Sequence, residues 1–170
     1  MTRNLPELDA LTEKVIGCAI EVHRTLGPGL LESVYRECMI LEMLGQHLSV
    51  QSERQVPLEY KGQRIKGQLK LDLLVEGCVV VELKAVDQLH PVHLAQVITY
   101  LKLTGYPAGL LMNFNSTTLR AGLKTPGPPG HVREEDFLIA SDARSTCTYQ
   151  KTPDLLASCE ALWLGTDGIT

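Results

Sequence analysis

Three residues in the middle of the chain carry the side chains that metal-assisted hydrolysis requires. Asp72 is followed ten residues later by Glu82, Leu83 and Lys84. The two carboxylates and the backbone carbonyl of Leu83 form a set of hard oxygen ligands that suits Mg²⁺ or Mn²⁺. A metal ion held there would polarise a phosphate and lower the pKa of a water molecule, while Lys84 would orient that water or neutralise developing charge. The same spacing also fits a plain ion pair at the end of a strand.

The metal site requires Asp72 to share one face of a β-sheet with Glu82 and the lysine two residues later. Alternate residues of one strand share a face, but Asp72 lies on the preceding strand, so the connecting loop decides its orientation. A two-residue turn would place Asp72 on the wrong face. A three-residue loop over 75–77, with Gly77 left-handed, would place Asp72 opposite Val80 and on the required face. We therefore predict an odd-length loop or a bulge here.

Two helical pairs supply further candidate residues. Glu32 and Tyr35 are three residues apart, and Gln96 and Tyr100 are four apart, so each pair lies on one face of a helix. Glu32 would add a third carboxylate to the metal or to its water shell. Gln96 and Tyr100 would reach a phosphate or hold the lysine in place. Taken alone, each pair also fits an ordinary role, as a charge near a helix N-terminus or as a packed aromatic ring.

The periodicity of apolar residues predicts an α/β domain. Apolar residues recur every three or four positions in two N-terminal segments, which indicates two helices separated by Gly27-Pro28-Gly29. Alternating and then continuous apolar runs follow, which indicate a strand meander and a buried strand. The predicted order is a helix over 8–26, a helix marked by Leu31, Val34, Cys38, Leu41 and Leu44, strands from 56 to 81, a crossover helix over 91–104 and a buried strand over 108–113.

Composition favours one soluble domain in a reducing compartment. The chain has 170 residues, of which 44% are hydrophobic. Its five cysteines are scattered without a C-x-x-C pair, so a disulfide framework or a zinc site is disfavoured and a cytoplasmic location is expected. No apolar run approaches the length of a membrane span, and we expect no membrane association.

Charge divides the chain into two regions. Residues 1–125 contain 13 Lys and Arg and 13 Asp and Glu, whereas residues 126–170 contain 3 and 7, which accounts for the net charge of −4. Basic residues nevertheless concentrate between 54 and 70, namely Arg54, Lys61, Arg64, Lys66 and Lys70. This stretch is either a phosphate-facing patch or a solvated sheet edge that discourages aggregation.

Several separated motifs together resemble a known family. The stretch Gly29-Leu30-Leu31-Glu32-Ser33-Val34-Tyr35 is similar to the G-x-x-E-x-x-Y signature of a group of small prokaryotic proteins in the PD-(D/E)XK nuclease superfamily. The resemblance spans roughly residues 8–125 and continues in order through Gln55-Val56-Pro57-Leu58, Asp72-Leu73-Leu74-Val75-Glu76, Val81-Glu82-Leu83-Lys84-Ala85, Gln96 to Lys102, and Gly109 to Phe114.

The resemblance implies a restriction-endonuclease-like core, in which a central mixed β-sheet is flanked by helices. It also implies a nuclease that uses Mg²⁺ or Mn²⁺ and acts on nucleic acid, with DNA favoured over RNA. The implied catalytic residues are Glu32, Asp72, Glu82 and Lys84, of which Asp72, Glu82 and Glu32 are the metal ligands. The implied substrate-binding residues are Tyr35, Gln96 and Tyr100, the last two resembling a Q-x-x-x-Y element.

Two other classes of function are weighed against a nuclease. A catalytically silent module that binds nucleic acid or protein on the same scaffold is the main alternative, because a fold alone does not establish activity. A nicotinamide enzyme is excluded, since Gly27-Pro28-Gly29 joins two helices and not a strand to a helix.

Residues 1–125 are predicted to form the nuclease-like domain. Residues 126–170 are predicted to be a Pro/Gly linker and an acidic, irregular tail with a short apolar helix at 153–164, which would suit a partner protein or a second copy.

Overall fold

The computed structural model describes residues 5–126, without the side chains of residues 66–68. The predicted tail helix at 153–164 and the linker from residue 127 onward therefore lie outside the described residues. Four helices are found within the described range: α1 (Leu5–Leu26), α2 (Glu32–Gly45), α3 (Pro91–Thr104) and the single-turn α4 (Leu119–Gly122). None of the helices in this range is long and apolar enough to cross a membrane.

A mixed sheet of five strands forms the centre of the described region. The strands lie in the order β1 (Val50–Tyr60), β2 (Gln63–Val75), β3 (Val79–Lys84), β4 (Ala108–Asn113) and β5 (Leu123–Lys124). Neighbouring strands are antiparallel except for β3 and β4, which are parallel and joined by the crossover helix α3. A parallel pair needs such a long connection, because a tight turn can only reverse the chain.

Helices cover both faces of this sheet. Leu73, Val75, Val81 and other alternating residues of β2 and β3 pack in one buried cluster with residues of α1 and α2. Leu74 and Val80 point the other way and pack with Tyr100 and Leu101 of α3. Since β3 is buried on both faces, four of its six residues are apolar, the exceptions being Glu82 and Lys84. The predicted α/β class, a central mixed sheet flanked by helices, is confirmed.

The helix boundaries follow from local signals in the sequence. Pro91 occupies the first turn of α3, where its missing N–H costs no hydrogen bond. Gly105 ends α3 in the left-handed region with φ of 71°, and its N–H donates to the carbonyl of Leu101. Gly109 of β4 lies so close to α3 that a Cβ atom there would come within 2.7 Å of Val97 Cγ1. This close approach fixes α3 against the sheet.

The helix α2 forms as predicted, but it buries a different side from the one that its regular apolar spacing marks. Tyr35, Met39 and Met43 are its buried residues. Leu31, on the edge of α2, and Leu41 are largely exposed, with relative accessibilities of 74% and 69%. Tyr35 and the two methionines therefore fill the core, and the leucines remain at the surface.

Candidate metal and catalytic centre

The loop between β2 and β3 brings Asp72 alongside Glu82. The last residues of β2 pair with the first residues of β3 as Val75 with Val79 and Leu73 with Val81. One residue further along, the same register aligns Asp72 with Glu82. The predicted three-residue loop is therefore present, but it spans 76–78 and not 75–77. Asp72 is consequently opposite Glu82, whereas the loop predicted from the sequence would have placed Asp72 opposite Val80.

Two residues of this loop adopt left-handed conformations, which is what allows so tight a connection. Gly77 has φ of 65°, as predicted, and Glu76 has φ of 51°. Glycine reaches this region without steric cost, whereas glutamate reaches it only where the surroundings hold it. The Glu76 carboxylate accepts a hydrogen bond from the N–H of Ser49 at 2.7 Å, and the Glu76 N–H donates to the Ser49 carbonyl at 2.8 Å. These bonds fix the register that aligns the two acids.

Glu82 is a buried acid whose hydrogen-bonding capacity is only half used. Its relative accessibility is 2%. Oε1 accepts a hydrogen bond from Lys84 Nζ at 2.5 Å, while Oε2 is buried and has no hydrogen-bond partner among the described residues. Burial, together with the negative charge of Asp72, raises the pKa of Glu82 to about 7. A buried carboxylate oxygen without a partner is costly, so the position is one that a cation would stabilise.

Lys84 is the positive charge that balances this centre. Burial alone would lower the pKa of Lys84, but its hydrogen bond to Glu82 and the charges of Glu82, Glu32 and Asp72 outweigh that effect and raise it. The lysine therefore stays charged at neutral pH. A charged ammonium group beside two carboxylates is able to neutralise negative charge that develops on a phosphate.

Asp72 is held by contacts from two directions. Its Oδ2 accepts a hydrogen bond from the backbone N–H of Leu83 at 2.9 Å. Its Oδ1 lies 3.5 Å from Nη1 of Arg36, a residue of α2. Leu71 and Leu74 both pack in the cluster on the α3 side, although strict alternation would separate them. The alternation of side chains is therefore irregular next to Asp72, and the Asp72 carboxylate contacts both β3 and α2.

Glu32 lies at the start of α2, next to the three central residues. Burial and the negative charge of Asp72 raise the pKa of the Glu32 carboxyl, while Lys84 and Arg36 oppose that shift. This mutual influence places the acid within electrostatic reach of the centre. Its predicted place as a third metal ligand stays a prediction.

Tyr35 has a different place from the one that its spacing to Glu32 suggested. Its side chain is fully buried and stacks on Phe114 with 4.6 Å between ring centroids. Its hydroxyl donates to the carbonyl of Gly27 at 2.7 Å and accepts from the N–H of Leu30 at 3.1 Å. Tyr35 thus fixes the loop that leads into α2 and sets the position of Glu32, and it offers no surface that a substrate would touch.

Gln96 and Tyr100 form a hydrogen-bonded pair on α3. The side-chain amide of Gln96 donates to the Tyr100 hydroxyl at 2.6 Å. Burial raises the pKa of the Tyr100 hydroxyl, and the charges of Glu82 and Asp72 raise it further. His93, one turn before Gln96, has a pKa lowered by burial and by the charge of Lys84. The face of α3 that carries these residues is therefore turned toward the acidic centre.

The donor chemistry of the centre fits a divalent ion. Mg²⁺ is commonly held by only one or two carboxylates, with water and substrate phosphate completing its shell. Asp72 and Glu82 are two such carboxylates, and Glu82 Oε2 has no competing partner in the described structure. Within residues 5–126, no group of three or more His, Cys, Asp or Glu side chains is close enough together to hold a metal ion. The centre therefore provides two carboxylates and not a preformed cluster of three.

Two residues of this centre were missed by the sequence reasoning. Arg36 contacts both Asp72 and Glu53, with Nη2 lying 3.5 Å from Glu53 Oε1. Glu53 also accepts a hydrogen bond from Lys70 at 2.6 Å, and it has φ of 52° where β1 passes Asp72. A signal for Arg36 was present, because it lies four residues after Glu32 and so on the same helix face. Nothing in the spacing of Glu53 indicates its part.

Together the sheet, its two acids and its lysine define a nuclease-like α/β domain. A family model described as the PD-(D/E)XK nuclease superfamily matches residues 9–125, and the chain belongs to this superfamily. No curated protein and no solved structure matches the chain significantly. The predicted superfamily is thereby confirmed, and the fold is consistent with a restriction-endonuclease-like core.

Proposed function

We propose that this chain is a metal-dependent nuclease that hydrolyses phosphodiester bonds, with DNA favoured over RNA as its substrate. Within the superfamily we assign it to the G-x-x-E-x-x-Y group, on the strength of Gly29, Glu32 and Tyr35. The observation that carries the proposal is the buried Glu82 carboxylate next to Asp72 and Lys84, whose Oε2 has no hydrogen-bond partner within residues 5–126. Such an arrangement costs stability in the absence of a cation, and it is common at functional sites.

Each residue of the centre has a distinct part in this proposal. Asp72 and Glu82 would hold a Mg²⁺ or Mn²⁺ ion, and Glu32 would be a further carboxylate for the ion or its water shell. The bound ion supplies Lewis-acid polarisation of the phosphate and lowers the pKa of the attacking water. Lys84 orients that water or neutralises charge on the phosphate, and the Leu83 N–H keeps Asp72 in its binding orientation. The Gln96–Tyr100 pair contacts the substrate phosphate from α3.

The second candidate is a catalytically silent binding module. A specific observation favours it: both acids already have cationic neighbours, since Lys84 binds Glu82 at 2.5 Å and Arg36 lies 3.5 Å from Asp72. In this form the two ion pairs would stabilise the fold without a metal. The unpartnered Glu82 Oε2 and the raised pKa of Glu82 favour the nuclease over this module.

The partners and location of the nuclease are part of the same proposal. The exposed apolar residues Leu41 and Leu44 of α2, with Leu31 just before this helix, suit a partner protein or a second copy of the chain. Among the described residues, Cys18 and Cys38 form no disulfide, which suits a cytoplasmic location.

A cleavage assay separates the two candidates. The purified full-length chain is incubated with linear, nicked and single-stranded DNA, with Mg²⁺, with Mn²⁺ and with EDTA. The nuclease requires cleavage that depends on metal and disappears in Glu82→Gln and in Lys84→Ala. Glu37→Gln is the matched control, because Glu37 is an exposed acid of α2. Activity that is equal in all variants indicates a contaminating enzyme, and binding without cleavage supports the module.

A further inference from the structure

The hairpin of β1 and β2 continues well past the end of β3. The two strands pair from Val50 with Val75 as far as Tyr60 with Gln63, whereas pairing of β2 with β3 is confined to Leu73–Val75. Val56 is the last residue of β1 that is buried against the body of the domain. We call the remainder of the hairpin, residues 57–68, the arm.

The arm extends from the same end of the sheet as the candidate centre. Because β2 and β3 are antiparallel, the C-terminal end of β3 points along β2 toward the tip of the hairpin. The register, continued to the end of β3, aligns Lys84 with Lys70. The arm begins two residues beyond that point. A molecule bound at Glu82 and Lys84 would therefore have the arm directly beside it.

The described residues of the arm are exposed on both faces of the ribbon, except for the half-buried Leu58. Glu59 to Ile65 are all exposed, and Tyr60 has a relative accessibility of 63%. Lys61 Nζ lies 5.4 Å from the centre of the Tyr60 ring. Glu59 pairs with Arg64 across the ribbon, but no ion pair of Lys61 or Arg64 with a carboxylate forms within the described part of the chain.

The arm is also the basic part of a domain whose net charge is zero when the arm is included. By sequence it has three basic residues, Lys61, Arg64 and Lys66, and one acid, Glu59. The other two basic residues of this stretch are already engaged, since Lys70 binds Glu53 and Arg54 donates to Gln51. Of the basic residues between 54 and 70, which the sequence assigned either to a phosphate-facing patch or to a solvated sheet edge, Lys61 and Arg64 of the arm are therefore the ones available to a phosphate.

We propose that the arm lies in the major groove of duplex DNA, which places the candidate centre at the DNA backbone. This inference rests on the proposed function. The major groove admits a two-stranded β-ribbon, while the major groove of duplex RNA is too narrow for one. Six residues of strand span about 20 Å, close to the width of a duplex. The register of the ribbon shifts between Pro57 and Glu59, and such an irregularity bends a ribbon, as following a groove requires. Single-stranded DNA would call for several aromatic platforms, and the described arm offers only Tyr60.

The test is a binding measurement that does not depend on cleavage. The full-length chain is titrated against a fluorescently labelled duplex DNA and its single strand in EDTA, over a series of salt concentrations. The arm variant is Lys61→Ala with Arg64→Ala. Its matched control is Arg120→Ala with Lys124→Ala, which removes one arginine and one lysine from α4 and β5, at the opposite edge of the sheet. Unfolding curves and Mn²⁺ binding confirm that both variants keep the fold and the centre.

The arm variant is expected to lose about tenfold in duplex affinity. The slope of log affinity against log salt concentration should become shallower by roughly two, because each lost phosphate contact removes about 0.9 from that slope. Glu59→Gln, which removes the acid beside Arg64, should strengthen duplex binding about twofold. The control should bind as the unaltered chain does.

Three results would overturn the proposal: absence of duplex binding by the unaltered chain, an arm variant that binds like its control, or an equal loss of duplex and single-strand affinity. The proposed nuclease function fails separately. Arm-dependent duplex binding without any cleavage keeps the arm and contradicts the nuclease, whereas metal-dependent cleavage that the arm variant retains in full keeps the nuclease and contradicts the arm.

Discussion

The carboxylate of Asp72 accepts a hydrogen bond from the backbone N–H of Leu83 across the β2–β3 pair, at 2.9 Å. This bond ties the first acid of the centre to the middle residue of the segment that carries Glu82 and Lys84. Neither acid is placed by its own strand alone. The relationship depends on the loop at 76–78, because its length sets the register of the two strands.

The pH dependence of stability should report the burial of Glu82. Its pKa is about 7 in the folded chain, above the ordinary value of 4.5. Between these values the folded state retains a proton that the unfolded state has released, so the free energy of unfolding falls as pH rises toward 7. Urea unfolding in EDTA at pH 5, 6, 7 and 8 should show this fall in the unaltered chain.

The control for this prediction is Glu82→Gln, which has nearly the same shape but does not titrate. The stability of this variant relative to the unaltered chain should rise as pH increases through the same window. A constant difference between pH 5 and pH 8 would show that Glu82 titrates normally. The affinity for Mn²⁺ should change in the opposite direction, increasing with pH up to about 7, because the ion requires the ionised carboxylate.

Removal of Lys84 should destabilise the chain mainly at high pH. In Lys84→Met the Glu82 carboxylate loses its hydrogen bond and its compensating charge. We expect a loss of about 3 kcal/mol at pH 8, where Glu82 is charged, and a smaller loss at pH 5.5, where it is protonated. Urea unfolding at both values measures this. The double variant with Glu82→Gln should recover most of the loss, and equal losses at both pH values would contradict the account.

Gln96 and Tyr100 should act as one unit in cleavage. Their hydrogen bond of 2.6 Å means that the loss of either side chain frees the other. We expect Gln96→Ala and Tyr100→Phe each to lower the cleavage rate about tenfold, and the double variant to be no worse than the poorer single variant. Val92→Ala, an exposed position on the same helix, is the control. Multiplicative losses in the double variant would mean that the two residues act independently.

Tyr35 should contribute to stability and only indirectly to activity. Tyr35→Phe keeps the ring on Phe114 but removes the hydroxyl that holds Gly27 and Leu30. We expect a loss of about 1 to 2 kcal/mol in urea unfolding, because two partly buried hydrogen bonds are lost at once. Tyr60→Phe, at an exposed position, should change stability by only a few tenths. A Tyr35→Phe variant as stable as the Tyr60→Phe control would refute the structural role.

Much of the fold is encoded in local features of the sequence. Pro91 and Gly105 mark the two ends of α3, and the continuous apolar run of β3 marks a strand buried on both faces. The left-handed Gly77 and the odd length of its loop are also local features. An alignment that puts Asp72 and Glu82 on the same face of the sheet was therefore predictable. The exact loop residues were not, because Glu76 takes its left-handed conformation through contacts with the distant Ser49.

Features that depend on tertiary contacts could not be predicted in this way. The buried side of α2 is decided by what it meets, and there Tyr35 and Met39 fit the core better than the regularly spaced Leu41. The ion pair of Arg36 with Asp72 joins residues 36 positions apart, and no periodicity reports it. The projection of the arm follows from where β3 ends relative to β2, which is a property of the sheet and not of either strand.

The most direct test of the centre is a Mn²⁺ titration of the metal-free, full-length chain at pH 8, followed by calorimetry or electron paramagnetic resonance. A binding site for Mn²⁺ is expected in the unaltered chain and in Glu37→Gln. We expect a loss of about tenfold or more in affinity in Glu82→Gln, because a carboxylate ligand is replaced by a neutral amide. Equal Mn²⁺ affinity in all three proteins, or no binding by the unaltered chain, would contradict the assignment of Asp72 and Glu82 as the metal centre.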